Sequence, residues 1–240
     1  MRPRFEKSIR LPRDFLLFWA SQAVSQLGSA MTSYALIIWA FAKTGSAITV
    51  SLMAFCTFLP YVAVSVLSGA ATDRFSKKTV ILVSDGVAAL CTAALLALYL
   101  THRLELWHVY AANLAIGFMN AFQNPAVSVA TGMMVDSSLY SRASGLDSLS
   151  ANLVTVSAPM LAAALSAVAG PGLIMALDLV TFAFAALVML IFIKLREVPG
   201  GKSGYEHKSA FAGFREGLAF LRAHRGLLHI MLFMAALNFF

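Results

Sequence analysis

Charged side chains are scarce in this chain. Its 240 residues include 18 Lys and Arg and 11 Asp and Glu, or 12%, against about 25% in soluble domains. That shortage excludes a water-soluble fold, because 60% of the residues are apolar and too little polar surface remains to cover them. Cysteine is almost missing. Cys56 and Cys91 each stand alone in an apolar run, which rules out a disulfide framework and leaves two thiols acting as small hydrophobes. No nucleophile elbow, paired-histidine zinc motif or phosphate-cradling loop occurs, so neither a catalytic centre nor a cofactor is expected, and the chain does not read as an enzyme. His102, Glu105 and His108 supply ligand types at spacings of three. They lie in a short turn with no supporting pattern around them, and no metal is expected there. The net charge of +7 does not indicate nucleic acid, since the Lys and Arg fall in loops between apolar blocks without an aromatic stacking platform.

Long runs without charge dominate instead, each near the roughly 20 residues that cross about 30 Å of hydrocarbon. They predict spans at Phe15–Phe41, Ala47–Ala70, Thr79–Leu100, Leu106–Val135, Gly145–Ala169 and Pro171–Leu195, with a seventh starting near Gly226. The basic N-terminus followed by an apolar run has the outline of a secretory leader, but the run is too long and five more follow, so it reads as a first span. Lys43 and Arg103 fall on one side of the membrane, and the other 16 of the 18 Lys and Arg fall on the side of the N-terminus. In short-looped proteins that bias places the N-terminus in the cytoplasm. A multi-pass protein of the inner (plasma) membrane is expected, with the lipid bilayer as its first partner.

Residues 1–195 therefore read as a six-helix bundle, 196–225 as a cytoplasmic linker and 226–240 as the beginning of a seventh span. The linker opens with "VPGGKSGYEHKS", whose glycines and serines suit a loop. It then places Phe211, Phe214, Leu218 and Leu221 on one helical face and Lys208, Arg215, Glu216 and Arg222 on the other, as in a helix lying on a membrane surface; a plain solvated linker is the alternative. The 15 residues from Gly226 to Phe240 reach about 22 Å as a helix, short of a full crossing. The chain is accordingly expected to be a fragment of a longer membrane protein. Within the six spans a three-plus-three echo is visible: Pro60 and Pro159 interrupt the second helix of each triplet, and Asp85 and Asp178 lie about two turns into the third. Such inverted triplets build many secondary transporters.

Between the second and third spans runs Gly69, Ala70, Ala71, Thr72, Asp73, Arg74, Phe75, Ser76, Lys77, Lys78. This resembles the loop signature of the major facilitator superfamily in its glycine, aspartate, arginine and terminal basic pair, and differs at Ala71, Thr72 and Ser76. The stretches "FWASQAVSQLGSAMTSYAL", "LELWHVYAANLAIGFMNAFQNPA", "RASGLDSLSANL", "ALDLVTFAFA" and "LRAHRGLLHIMLFMAALNF" are similar to the macrolide-efflux-like branch of that superfamily. Two features depart from its drug antiporters: Gly117 to Pro125 holds no basic residue, and the glycine-rich motif of the fifth span is reduced to Ser157, Ala158, Pro159, Met160, Leu161, Ala162.

The resemblance implies an all-α membrane protein, the six-helix N-terminal bundle of a major facilitator fold made of two inverted three-helix repeats. It implies a secondary carrier, completed by a C-terminal six-helix bundle missing from this chain, that exports a small hydrophobic substrate, such as a macrolide drug, in exchange for protons. Gly69, Asp73, Arg74, Lys77 and Lys78 would form a gating loop. The first and fourth spans would line a central cavity, so their polar stripes supply the substrate contacts Gln22, Gln26, Ser29, Asn120 and Asn124; hydrogen bonding between helices is the alternative use of such residues. Uncharged amides suit a bulky amphiphile better than an anion, which calls for Arg or Lys. Asp85 and Asp178, the carboxylates well inside spans, are candidate proton-coupling groups, or else braces between helices. The competing reading is a non-transporting membrane protein, a sensor, a scaffold or an inactive piece of a transporter.

Overall fold

The computed structural model describes residues 11–72, 75–193, 226–227, 229–230 and 233–234. Its regular structure is helical throughout these residues: α1 Arg13–Thr44, α2 Ala47–Thr72, α3 Lys77–Leu100, α4 Leu106–Met134 and α5 Tyr140–Ile191, with a single 3-10 turn at Ser137–Leu139 before α5. The described positions between 226 and 234 are helical as well. The linker and its amphipathic segment fall outside the described residues.

Four helical stretches among the described residues are long and apolar enough to cross a membrane: Arg13–Thr44, Ala47–Ser65, Lys77–Leu100 and Ser137–Ile191. Helix α4 has the length, but Asn113, Asn120, Gln123 and Asn124 dilute its hydropathy. In lipid a helix satisfies its own backbone, so polarity is free to turn inward. Phe58, Val62, Val168 and Leu187 face outward, each at least half exposed, whereas Gln22, Ser25, Asp85, Thr92 and Asp178 are buried.

Two apolar clusters flank this polar interior. At the end holding the chain's N-terminus, Phe18, Ile81, Ala126, Ala130, Met189 and Ile193 pack together. At the other end Leu36, Met53, Leu95, Val109 and Met175 do the same. The polar residues of α1, α3, α4 and α5 fall in the layer between.

Helix α5 is two arms, 140–169 and 171–191, meeting at Gly170, whose backbone is not helical (φ 72°, ψ 173°). Glycine enters that left-handed region without the clash a Cβ would cause, and Pro171 then starts the second arm, where a missing N–H costs no hydrogen bond. Ala158, Ala162 and Ile174, from the two arms, share a cluster with Met31 and Ala35 of α1, so the chain doubles back and both arms flank α1. The expected break between the fifth and sixth spans therefore falls at Gly170. Pro60 and Pro159, by contrast, sit inside α2 and α5 without ending them; the interruption read from the sequence is not a break, since flanking turns keep their own bonds.

Helices α2 and α4 cross at Gly117, where a Cβ would strike the Thr57 carbonyl and the Pro60 ring. Gly86 on α3 has open space around its missing side chain. Gly117→Ala should destabilise the protein by about 1–3 kcal/mol through overpacking, while Gly86→Ala should leave stability unchanged or raise it by up to about 1 kcal/mol. Thermal unfolding of the two variants in detergent decides this, and equal shifts would contradict the close crossing.

Candidate functional site

The two carboxylates well inside spans, Asp85 and Asp178, are each held by neutral donors from two other helices. Asp85 of α3 accepts hydrogen bonds from Gln123 Nε2 of α4 on one oxygen and from Gln22 Nε2 of α1, at 3.5 Å, on the other. Asp178, in the second arm of α5, accepts from Ser29 Oγ of α1 at 3.0 Å and Thr92 Oγ1 of α3 at 3.3 Å. Gln22 and Ser29 are seven residues apart on α1, so they lie on one face about two turns, roughly 10 Å, from each other. Helix α1 thus reaches both acids. Gly28 permits the lower approach: a Cβ there would strike Thr181 Oγ1 and crowd Asp178.

One cavity of about 480 Å³ joins these groups. Gln22, Gln26, Ser29, Asn120 and Asn124 line it, and so do Asp85 and Asp178. The substrate-contact and proton-coupling candidates therefore occupy one chamber, with Asn113, Gln123 and Thr92 beside them. Among the described residues, no Lys or Arg lines it. Asn124 Nδ2 also donates to Tyr61 Oη of α2 at 3.4 Å. Asn113 donates to the Met53 carbonyl at 3.1 Å and so ties α4 to α2.

The loop candidates are divided. Gly69 is in the last turns of α2, and Lys77 and Lys78 begin α3; Asp73 and Arg74 fall outside the described residues. Lys78 Nζ donates to the carbonyls of Leu190 at 3.2 Å and Ile193 at 2.8 Å, where a cation satisfies end carbonyls and opposes the helix dipole. Ser76, which departs from the family signature, is the N-cap of α3, its hydroxyl accepting from the Thr79 N–H at 3.5 Å. The turn residues Glu105 and His108 form a capping box at the start of α4: the Glu105 N–H donates to His108 Nδ1 at 3.1 Å.

Gln123 and Thr92 were not among the sequence candidates. Thr92 follows Asp85 by seven residues, with Ala88 between them on the same cavity wall, so extending the helical stripe from Asp85 would have reached it. Gln123 lies three residues from Asn120 and was hidden by the neighbouring Asn124, which matched the spacing better.

In a background with Cys56 and Cys91 replaced by Ala, single cysteines at Gln26, Asn120 and Asn124 should react quickly with a small water-soluble thiol reagent. One at Gln22, only 5% exposed, should react more slowly, and one at Leu187 on the outer surface should not. Equal protection at all five positions would remove the aqueous chamber.

Residues 18–240 match the profile of the Major Facilitator Superfamily. Macrolide efflux protein A of Streptococcus pyogenes is 28% identical over 222 residues, covering 91% of this chain and 53% of that protein, and the protein of the same name from serotype M6 gives the same figures. The chain spans about half the length of the curated relatives it matches. An all-helical membrane bundle with a polar interior and a match over nearly its whole length place this chain in the Major Facilitator Superfamily.

Proposed function

We propose that the protein is a secondary active transporter that exports hydrophobic drugs, macrolides among them, by proton antiport across the cell's inner membrane. The observation that carries this reading is the shared chamber in which Asp85 and Asp178 meet the amides of α1 and α4, with no Lys or Arg among the described residues of its walls. A carboxylate pair without a basic partner can exchange a proton for a substrate in the same space, and the neutral amides and apolar flanks suit an amphiphile. The macrolide relatives named above support the substrate class.

In this proposal α1, α2, α3, α4 and the two arms of α5 are the six spans of a bundle at 1–195, with the N-terminus cytoplasmic, and residues 196–225 link it to a seventh span. The mutual packing of α1 with α5 and of α2 with α4 supports two three-helix repeats, because exchanging first with fourth and second with fifth spans converts one pair into the other. Alternating access would rock this bundle about the chamber. The loop around Gly69, Asp73, Arg74, Lys77 and Lys78 would hold one state of that motion, with Lys78 already fastened to the end of α5.

Cells expressing the gene that encodes this chain should accumulate less labelled macrolide than control cells, and a protonophore should abolish the difference. Asp85→Asn and Asp178→Asn should each reduce protonophore-sensitive export while the protein still reaches the membrane. Export that survives both the protonophore and the double substitution would exclude proton antiport through these acids. Asp73→Asn should stop export and leave substrate binding within a few fold, whereas a collapse of binding would make Asp73 a substrate contact rather than a gate.

A further inference from the structure

Asp147 belongs to neither of the carboxylate sites above. It lies two turns into the first arm of α5, is exposed, and has no hydrogen-bond or ion-pair partner among the described residues. It lines a second chamber, of about 300 Å³, at the end of the bundle where α1 begins. Phe18 and Trp19 of α1 and Tyr140 of α5 contribute aromatic surface to the same walls. Gln22, Gln26, Asn124 and Val127 line this chamber and the larger cavity alike, so the two spaces adjoin.

The chemistry of those walls selects a ligand. Arg13 and Asp14 on α1, Asp136 before α5 and Arg142 on α5 are the charges nearest in sequence, and none of them lines the chamber. Arg142 precedes Asp147 by five residues, which places it about 140° around the helix. Among the described residues, the carboxylate therefore shares the chamber with no basic side chain. An anion is disfavoured there. A divalent metal needs several oxygen or nitrogen ligands, and among the described residues no second acid, His or Cys lines the space. A cation with an apolar body fits both features, its charge against Asp147 and its hydrocarbon against the rings, where a cation over an aromatic face gains about 0.5–2 kcal/mol. The Trp19 indole N–H is buried with no acceptor among the described residues, so packing alone holds the ring.

We propose that this chamber is an entry subsite for a bulky organic monocation, such as a quaternary or protonated amine, with Asp147 as its counter-charge and Trp19, Tyr140 and Phe18 as its apolar cradle. The proposal rests on the transport reading above, in that the subsite lies beside the larger cavity and would pass its ligand there.

The chain carries three tryptophans, Trp19, Trp39 and Trp107. With Trp39→Phe and Trp107→Phe, emission from the protein in lipid nanodiscs comes from Trp19 alone. N-Methylacridinium should quench it saturably, and acridine, kept uncharged at alkaline pH, should bind more weakly. Asp147→Asn should weaken the acridinium affinity by about tenfold or more, a loss of about 1.4 kcal/mol, and leave acridine unaffected. Asp147→Glu, which keeps the charge, should restore the affinity and serves as the folded control. Equal acridinium affinity in the Asn variant, or no saturable quenching in the protein with Asp147 intact, overturns the subsite. Export from cells reads the transport proposal separately: an absent subsite with export retained defeats only the subsite, and cation binding with no export defeats only the transport reading.

Discussion

An acid inside a hydrocarbon slab must find hydrogen-bond donors within the protein, because lipid offers none. Much of this bundle follows from that requirement. Asp85 and Asp178 draw donors from α1, α3 and α4, and each such bond fixes the rotation of the helix that supplies it. Leaving a buried group of this kind without its donor costs about 1–3 kcal/mol, and more when it is charged. The apolar clusters at the two ends of the bundle then confine the polar layer to its middle.

Helix α1 is the common member of this arrangement. Its small residues let α5 approach closely at Gly28, and its polar face presents Gln22, Gln26 and Ser29 at spacings of four and three to the chamber. In water such a face would be the outside of an amphipathic helix. In lipid the same pattern points inward, and large side chains such as Phe58 and Leu187 are left to the exterior.

The helices were legible in the sequence because charge-free runs of the right length leave few alternatives in lipid. Ala47, Leu100 and Leu106 are helix termini as expected, while α1 runs from Arg13 to Thr44, past Phe15 and Phe41 at its ends. Helix α5 begins at Tyr140, five residues before the expected start of the fifth span at Gly145. The polar residues of α1 and the two aspartates also stood out, each being costly where it is. Their pairings did not: Gln123 lies 38 residues from Asp85, Thr92 lies 86 from Asp178, and Ser29, itself a candidate, lies 149 from the acid it binds. Pairing at such separations is set by helix rotation and crossing, which periodicity alone does not encode. The adjoining chamber at Asp147 was equally hidden, since its walls come from the ends of three helices.

The elbow at Gly170 bears on how the chain enters a bilayer. The stretch Ser137–Ile191 contains 55 residues and as one straight rod would extend about 80 Å, far beyond a hydrocarbon core of about 30 Å. A one-residue turn carries no cationic anchor of its own, so neither arm brings orienting charge at that tip. The pair is suited to insertion as a single hairpin, its direction decided at its open ends, where Arg142 lies in the first turn of the first arm and Lys194 follows the second. Lengthening or charging the turn at Gly170 would therefore bear first on biogenesis, before any step of a transport cycle.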